Sequence, residues 1–297
     1  MEHNHNHSHE KFNYNKAFAF GIILNIIYII VEFVFGLKIN SMALIADAGH
    51  NLSDVLGLML AWGAAYLAKS VPTKTRTYGL RKSTILAALF NAIILYAAIG
   101  AITVEAVRKF IFPEPVQGTT MMIVAGIGVV INTLTALLFL KGKENDINIK
   151  GAFLHMAADA GVSLGVVAAG LVITYTNWLW LDPAISLVIV FVIAIGTWEL
   201  LKDSFMLSMD AVPNKINVSK VKQYLTSLPN VKDIHDLHIW GMSSTETALT
   251  AHLVLEKFPA DNQLIETINK KLQNEFGIEH LTIQLELTYE IDNCEKC

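Results

Sequence analysis

Two histidine–carboxylate pairs recur in this 297-residue chain, His50-Asn-Leu-Ser-Asp54 and His155-Met-Ala-Ala-Asp159. A spacing of four puts an imidazole and a carboxylate one turn apart on one face of a helix. Two such faces turned toward each other offer two nitrogens and two oxygens, the donor set of a four-coordinate Zn²⁺ site. A single buried histidine is more often a hydrogen-bonded core residue than a ligand. Two identical pairs, in an apolar region with no other histidine, reverse that reading. Asp47, one turn before His50, fits an outer partner of the site, a way in for the ion, or a proton acceptor. Glu32 and Glu105 either line an aqueous cavity or hydrogen-bond a neighbouring helix.

The elements that must hold these groups follow from composition. Hydrophobic residues make up 53% of the chain and charged ones 16%, with 27 charged side chains in residues 1–206 and 21 in the last 91. With only two cysteines and so much apolar surface, disorder and a disulfide-built secreted scaffold are excluded. Six stretches, 17–37, 42–67, 84–108, 118–140, 151–175 and 180–201, are long enough to cross about 30 Å of hydrocarbon as helices. They carry no Lys or Arg away from their ends. A carboxylate at mid-bilayer costs about 2.5–3.5 kcal/mol. The acids within the spans are therefore protonated, hydrated or bound to a cation from outside. The amino-terminal side of the membrane has eleven Lys and Arg against three (Lys38, Arg108 and Lys109) opposite, which predicts cytoplasmic termini.

The remainder reads as a separate soluble domain. Helical segments at 216–227 and 261–276 and alternating runs at 231–240, 247–256 and 281–289 give the order αββαβ, a ferredoxin-like α+β sandwich. The expected organisation is a disordered His-rich arm (1–15), a six-helix transmembrane domain (16–206), a cytosolic domain (207–290) and a Cys-x-x-Cys tail (291–297). His235 and His238, three apart on a strand, face opposite sides unless a bulge intervenes. A hairpin through residues 241–245 would bring His252 near the first strand, whereas His280 and Glu286 need a bend to meet. Cys294 and Cys297 offer half of a tetrahedral metal clip, which His5 and His7 in the amino-terminal arm could complete.

Six spans, paired His-x-x-x-Asp motifs in spans two and five, the segment from Ser41 to Asp54, and His235-Asp-Leu-His-Ile-Trp240 together resemble the cation diffusion facilitators. The likeness is to their zinc-transporting branch, with histidine at the first motif position. It implies a homodimeric exporter exchanging cytoplasmic Zn²⁺ for protons across an inner or plasma membrane, with His50, Asp54, His155 and Asp159 as transport site. It further implies a regulatory zinc site of His235, His252, His280 and Glu286, a clip shared between subunits, and a salt bridge from Lys82 to Asp210 at the dimer's hinge. Neither an enzymatic activity nor a nucleic-acid partner is expected. The rivals are export of another divalent ion (Co²⁺, Cd²⁺, Fe²⁺), or zinc sensing without transport.

Overall fold

The computed structural model describes residues 14–140, 147–259 and 262–287. Six long helices come first: α1 (Tyr14–Lys38), α2 (Met42–Ala68), α3 (Ser83–Ile111), α4 (Gly118–Phe139), α5 (Ile147–Thr176) and α6 (Leu181–Ser208). Four of them, α3 to α6, contain stretches long and apolar enough to cross a membrane. Val104, Phe191 and other large apolar side chains lie exposed on these helices, as does Trp62 on α2. Backbone polar groups are satisfied within each helix, so such faces suit lipid rather than water.

The chain forms two compact units. One combines Met1–Leu56 with Ile94–Gly196, the other Gly57–Ile93 with Thr197–Cys297. In the first, α4 and α5 approach closely because both carry glycine at the contact. A Cβ on Gly170 would lie 2.8 Å from the Gly118 carbonyl oxygen and 2.9 Å from the Met122 nitrogen. Small residues allow this approach where no hydrophobic gradient drives helices together. Gly170→Ala should therefore destabilise the protein by about 1–3 kcal/mol, read as a lower melting temperature in detergent. By contrast, Gly161 beside the predicted site meets nothing within 4 Å, so it is not a close-packing point.

The second unit contains the αββαβ domain: α7 (Val218–Thr226), β1 (Val231–Gly241), β2 (Thr247–Leu255), α8 (Gln263–Phe276) and β3 (His280–Glu286). Asn217 caps α7 by accepting from the Lys220 amide at 3.0 Å, and left-handed Gly277 (φ 63°) ends α8. The sheet order is β1-β2-β3, antiparallel then parallel. Leu249, Ala251, Leu253 and Leu255 of β2 face the helices, where Val221, Leu225, Ile268 and Leu272 complete the core.

The register of β1 shifts between His235 and His238, where Asp236 takes φ 51°. That bulge puts both Ile234 and Ile239 into the core although they are five apart. It also turns His235 and His238 to the same open face, so strict alternation does not hold here.

Candidate metal sites

Helices α2 and α5 bring His50, Asp54, His155 and Asp159 together. His50 Nε2 lies 3.7 Å from both Asp54 Oδ2 and Asp159 Oδ1, and His155 Nε2 lies 3.2 Å from Asp54 Oδ2 and 3.6 Å from Asp159 Oδ2. Zinc bonds of about 2.0–2.1 Å require tetrahedral ligand atoms about 3.3–3.4 Å apart, and these four histidine–carboxylate separations lie near that spacing. Buried Asp54 Oδ2 and Asp159 Oδ2 receive no hydrogen bond despite the imidazoles beside them. The four groups converge without satisfying one another. Asp159 is nearly inaccessible, whereas His155 and Asp54 are 44% and 34% exposed, so the group opens on their side.

The other acids divide. Asp47 is buried, accepts from Ser163 of α5 at 2.9 Å, and has the Asn51 amide 3.5 Å away. It therefore ties α2 to α5 beside the ligands. Glu32 is also buried and accepts from Tyr28 on its own helix at 2.6 Å. Neither role expected for Glu105 is seen: it is a partly exposed partner of Arg108, three residues on, at 2.6 and 2.9 Å.

On the open face of the sheet, His235 of β1 stands directly across from His252 of β2, their rings 4.9 Å apart. Glu286 of β3 reaches both, with Oε2 2.9 Å from His235 Nε2 and Oε1 2.9 Å from His252 Nδ1. The second contact has no hydrogen-bond alignment, leaving buried Nδ1 without a partner. One ligand atom from each of these three side chains lies within 4.8 Å of the others, close enough to share a metal ion. His280 does not join them. The strand β3 runs against β2 without a register break, so six residues carry His280 about 20 Å along it. Its ring instead packs edge-on against Tyr78, 5.5 Å away. Cys294, Cys297, His5 and His7 lie outside the described residues.

Residues 19–207 match the family description "Cation efflux transmembrane domain" and residues 213–288 match "Cation efflux protein, cytoplasmic domain". The chain belongs to the cation efflux family. It is a multi-pass membrane transporter rather than an enzyme, and its broad activity is metal cation efflux. The cation efflux protein is 35% identical to the metal cation efflux system protein CzcD of Cupriavidus metallidurans, over 88% of this chain and 83% of that one. The Bacillus subtilis protein named cadmium, cobalt and zinc/H(+)-K(+) antiporter is 35% identical over 91% of this chain and 88% of its own. The Escherichia coli zinc transporter ZitB is 33% identical over 91% and 86%. A solved metal-bound carboxy-terminal domain of CzcD, 32% identical, aligns over 24% of this chain and 100% of its own, with a TM-score of 0.22.

Sequence reasoning about this cation efflux protein overlooked Asp182. Fully buried in the first turn of α6, it accepts from Ser41 Oγ at 2.6 Å and from the amides of Met42 and Ala43 at 2.7 and 3.2 Å. A carboxylate is thereby set on the amino terminus of α2, where unpaired amides and the helix dipole favour negative charge. The available signal was an acid next to Pro183 at the start of a span. Nothing local to that acid points to α2.

Lys82 and Asp210 do meet, at 2.5 Å, both substantially exposed. Nearby, Arg81 pairs with Glu246 at 3.0 Å and the Ser244 amide donates to Thr84 Oγ1 at 2.9 Å. These contacts tie the start of α3 to the β1–β2 turn. An exposed pair contributes about 0–1 kcal/mol, so Lys82→Ala should shift the melting temperature by no more than a few degrees.

Proposed function

We propose that the protein exports Zn²⁺ from the cytoplasm in exchange for protons, as a homodimer in an inner or plasma membrane with both termini cytoplasmic. The convergence of His50, Asp54, His155 and Asp159 from two helices supports this reading most directly. Metal ligands must be deprotonated, so zinc and protons compete for the same lone pairs. Imidazole ordinarily exchanges protons near neutral pH. Under the charge rule, the exposed Asp54–His155 side faces the cytoplasm, the side from which cargo would load. Alternating access then converts the competition into antiport. Proteoliposomes with an imposed proton gradient test it: zinc movement should be coupled to proton flux, and tight binding with no flux in either direction would leave only a sensor. Cd²⁺ and Co²⁺ belong in the same assay, because the named specificity of the Bacillus relative favours a wider cargo range.

The second part of the proposal is regulation by zinc held at His235, His252 and Glu286, with the Lys82–Asp210 pair acting at the hinge. The donor set fits zinc, and the buried Nδ1 of His252, 2.9 Å from Glu286 Oε1 yet without a hydrogen bond, supports a ligand role. Bound there, zinc would supply a fixed positive charge joining β1, β2 and β3. Burial pushes the Glu286 carboxyl up, but hydrogen bonding by His235 and the adjacent charges outweigh this and hold it below its ordinary range. Glu286 is thus kept ionised. Zinc affinity here should fall as pH is lowered, because protons and zinc compete for the same ring nitrogens. A competition titration across pH 5.5–7.5 checks it, and a flat profile would remove the histidines as ligands.

A further inference from the structure

Beside the three proposed carboxy-terminal ligands stand two side chains with no assigned role. Asp236 occupies the bulge of β1 in a left-handed conformation, φ 51°, which aspartate tolerates better than most residues. Its two carboxylate oxygens point at different histidines. Oδ1 lies 2.8 Å from Nε2 of His238, and Oδ2 lies 3.5 Å from Nε2 of His252. His252 is therefore flanked by carboxylates at both ring nitrogens. Neither contact is a hydrogen bond: Glu286 Oε1 lies 2.9 Å from Nδ1 and Asp236 Oδ2 lies 3.5 Å from Nε2.

A neutral imidazole carries one proton, and the nitrogen without it is the one that can bind a metal. Which nitrogen that is depends on what accepts from the other. Asp236, fixed by its 2.8 Å contact with His238, sets a carboxylate oxygen 3.5 Å from Nε2 of His252. We propose that Asp236, held by His238 on the bulge, is a positioning residue that keeps the proton of His252 on Nε2 and presents Nδ1 to zinc. The proposal rests on the carboxy-terminal zinc site of the preceding section. It gives the bulge a use: regular alternation would turn the residue after His235 away from the His252 side. It also accounts for His238, which shares the open face but lies outside the ligand group.

The test uses the full-length protein in detergent, with Asp159→Ala removing the intramembrane site, and a chelating dye to measure zinc equivalents and affinity. Glu286→Ala defines the relevant equivalent by eliminating it. If it eliminates none, the carboxy-terminal site itself is wrong and the role of Asp236 falls with it. Asp236→Gly deletes the carboxylate while suiting the left-handed backbone, so misfolding does not confuse the result. Expected are an unchanged stoichiometry and a 10–100-fold weaker affinity for that equivalent. Asp236→Asn, whose amide oxygen can still face Nε2–H, should recover most of the loss. His238→Ala should cost less than Asp236→Gly. Wild-type affinity in Asp236→Gly would overturn the proposal. So would loss of a whole zinc equivalent in that variant, which would make Asp236 a ligand.

Discussion

Asp159→Ala should abolish zinc-dependent flux and weaken zinc binding at the intramembrane site by about 10²–10³-fold. The magnitude follows from apparent binding free energies of roughly 10–16 kcal/mol for four-ligand zinc sites, about 2.5–4 kcal/mol per ligand, at 1.4 kcal/mol per tenfold. Of the two carboxylates, Asp159 should matter more. It is 3% exposed against 34% for Asp54, so water can replace Asp54 more readily. Asp54→Ala should accordingly retain measurable weak binding. A second readout separates ligand from scaffold. Among the described residues, the polar neighbours of Asp159 at this site are imidazoles rather than Lys or Arg. A buried carboxylate so placed stabilises the metal-free protein little. In excess chelator, Asp159→Ala should melt no lower than wild type. Unaltered zinc affinity, or a large fall in the metal-free melting temperature, would return Asp159 to a structural role.

The parts of this site that could be read from the sequence are those fixed by a local period. The helical repeat alone sets His50 against Asp54 and His155 against Asp159, and the β1–β2 pairing opposes His235 to His252. Helix positions were legible too, but their ends less so. Hydropathy locates the apolar part of a helix, whereas the backbone continues past it: α5 begins at Ile147, ahead of Lys150, and α6 reaches Ser208. Likewise α3 runs on to Ile111, past the expected end at 108, and Arg108 takes Glu105 as partner three residues away. The bulge at Asp236 was hidden because the sequence 231–240 reads as a regular alternation. It shows in the register shift, in the φ of Asp236 and in the burial of both Ile234 and Ile239. Least legible of all was Asp182, whose partners Ser41, Met42 and Ala43 precede it by about 140 residues.

Asp182→Ala should give the opposite signature to Asp159→Ala, a protein that fails first in stability. The carboxylate answers three donors at the buried start of α2, and Lys109, itself buried, donates to the adjoining Asn40 carbonyl at 3.1 Å. Removing the acceptor strands two amides and a hydroxyl where water has little access. Charge-assisted hydrogen bonds contribute about 1.5–3 kcal/mol each, and the helix-terminal charge adds up to about 2 kcal/mol. The terms share one desolvated group and do not add. Breaking a buried charged contact from one side costs about 3–5 kcal/mol. At roughly 2–4 °C per kcal/mol for a chain of this size, the metal-free melting temperature in detergent should fall by on the order of 10 °C. Asp182→Asn, retaining one acceptor oxygen, should lose about half as much. Zinc affinity should fall along with stability, since α2 carries His50 and Asp54 and loses its fixed starting point. If Asp182→Ala melts within a degree or two of wild type while transport is lost, the residue handles the ion or its protons directly, and the capping account fails.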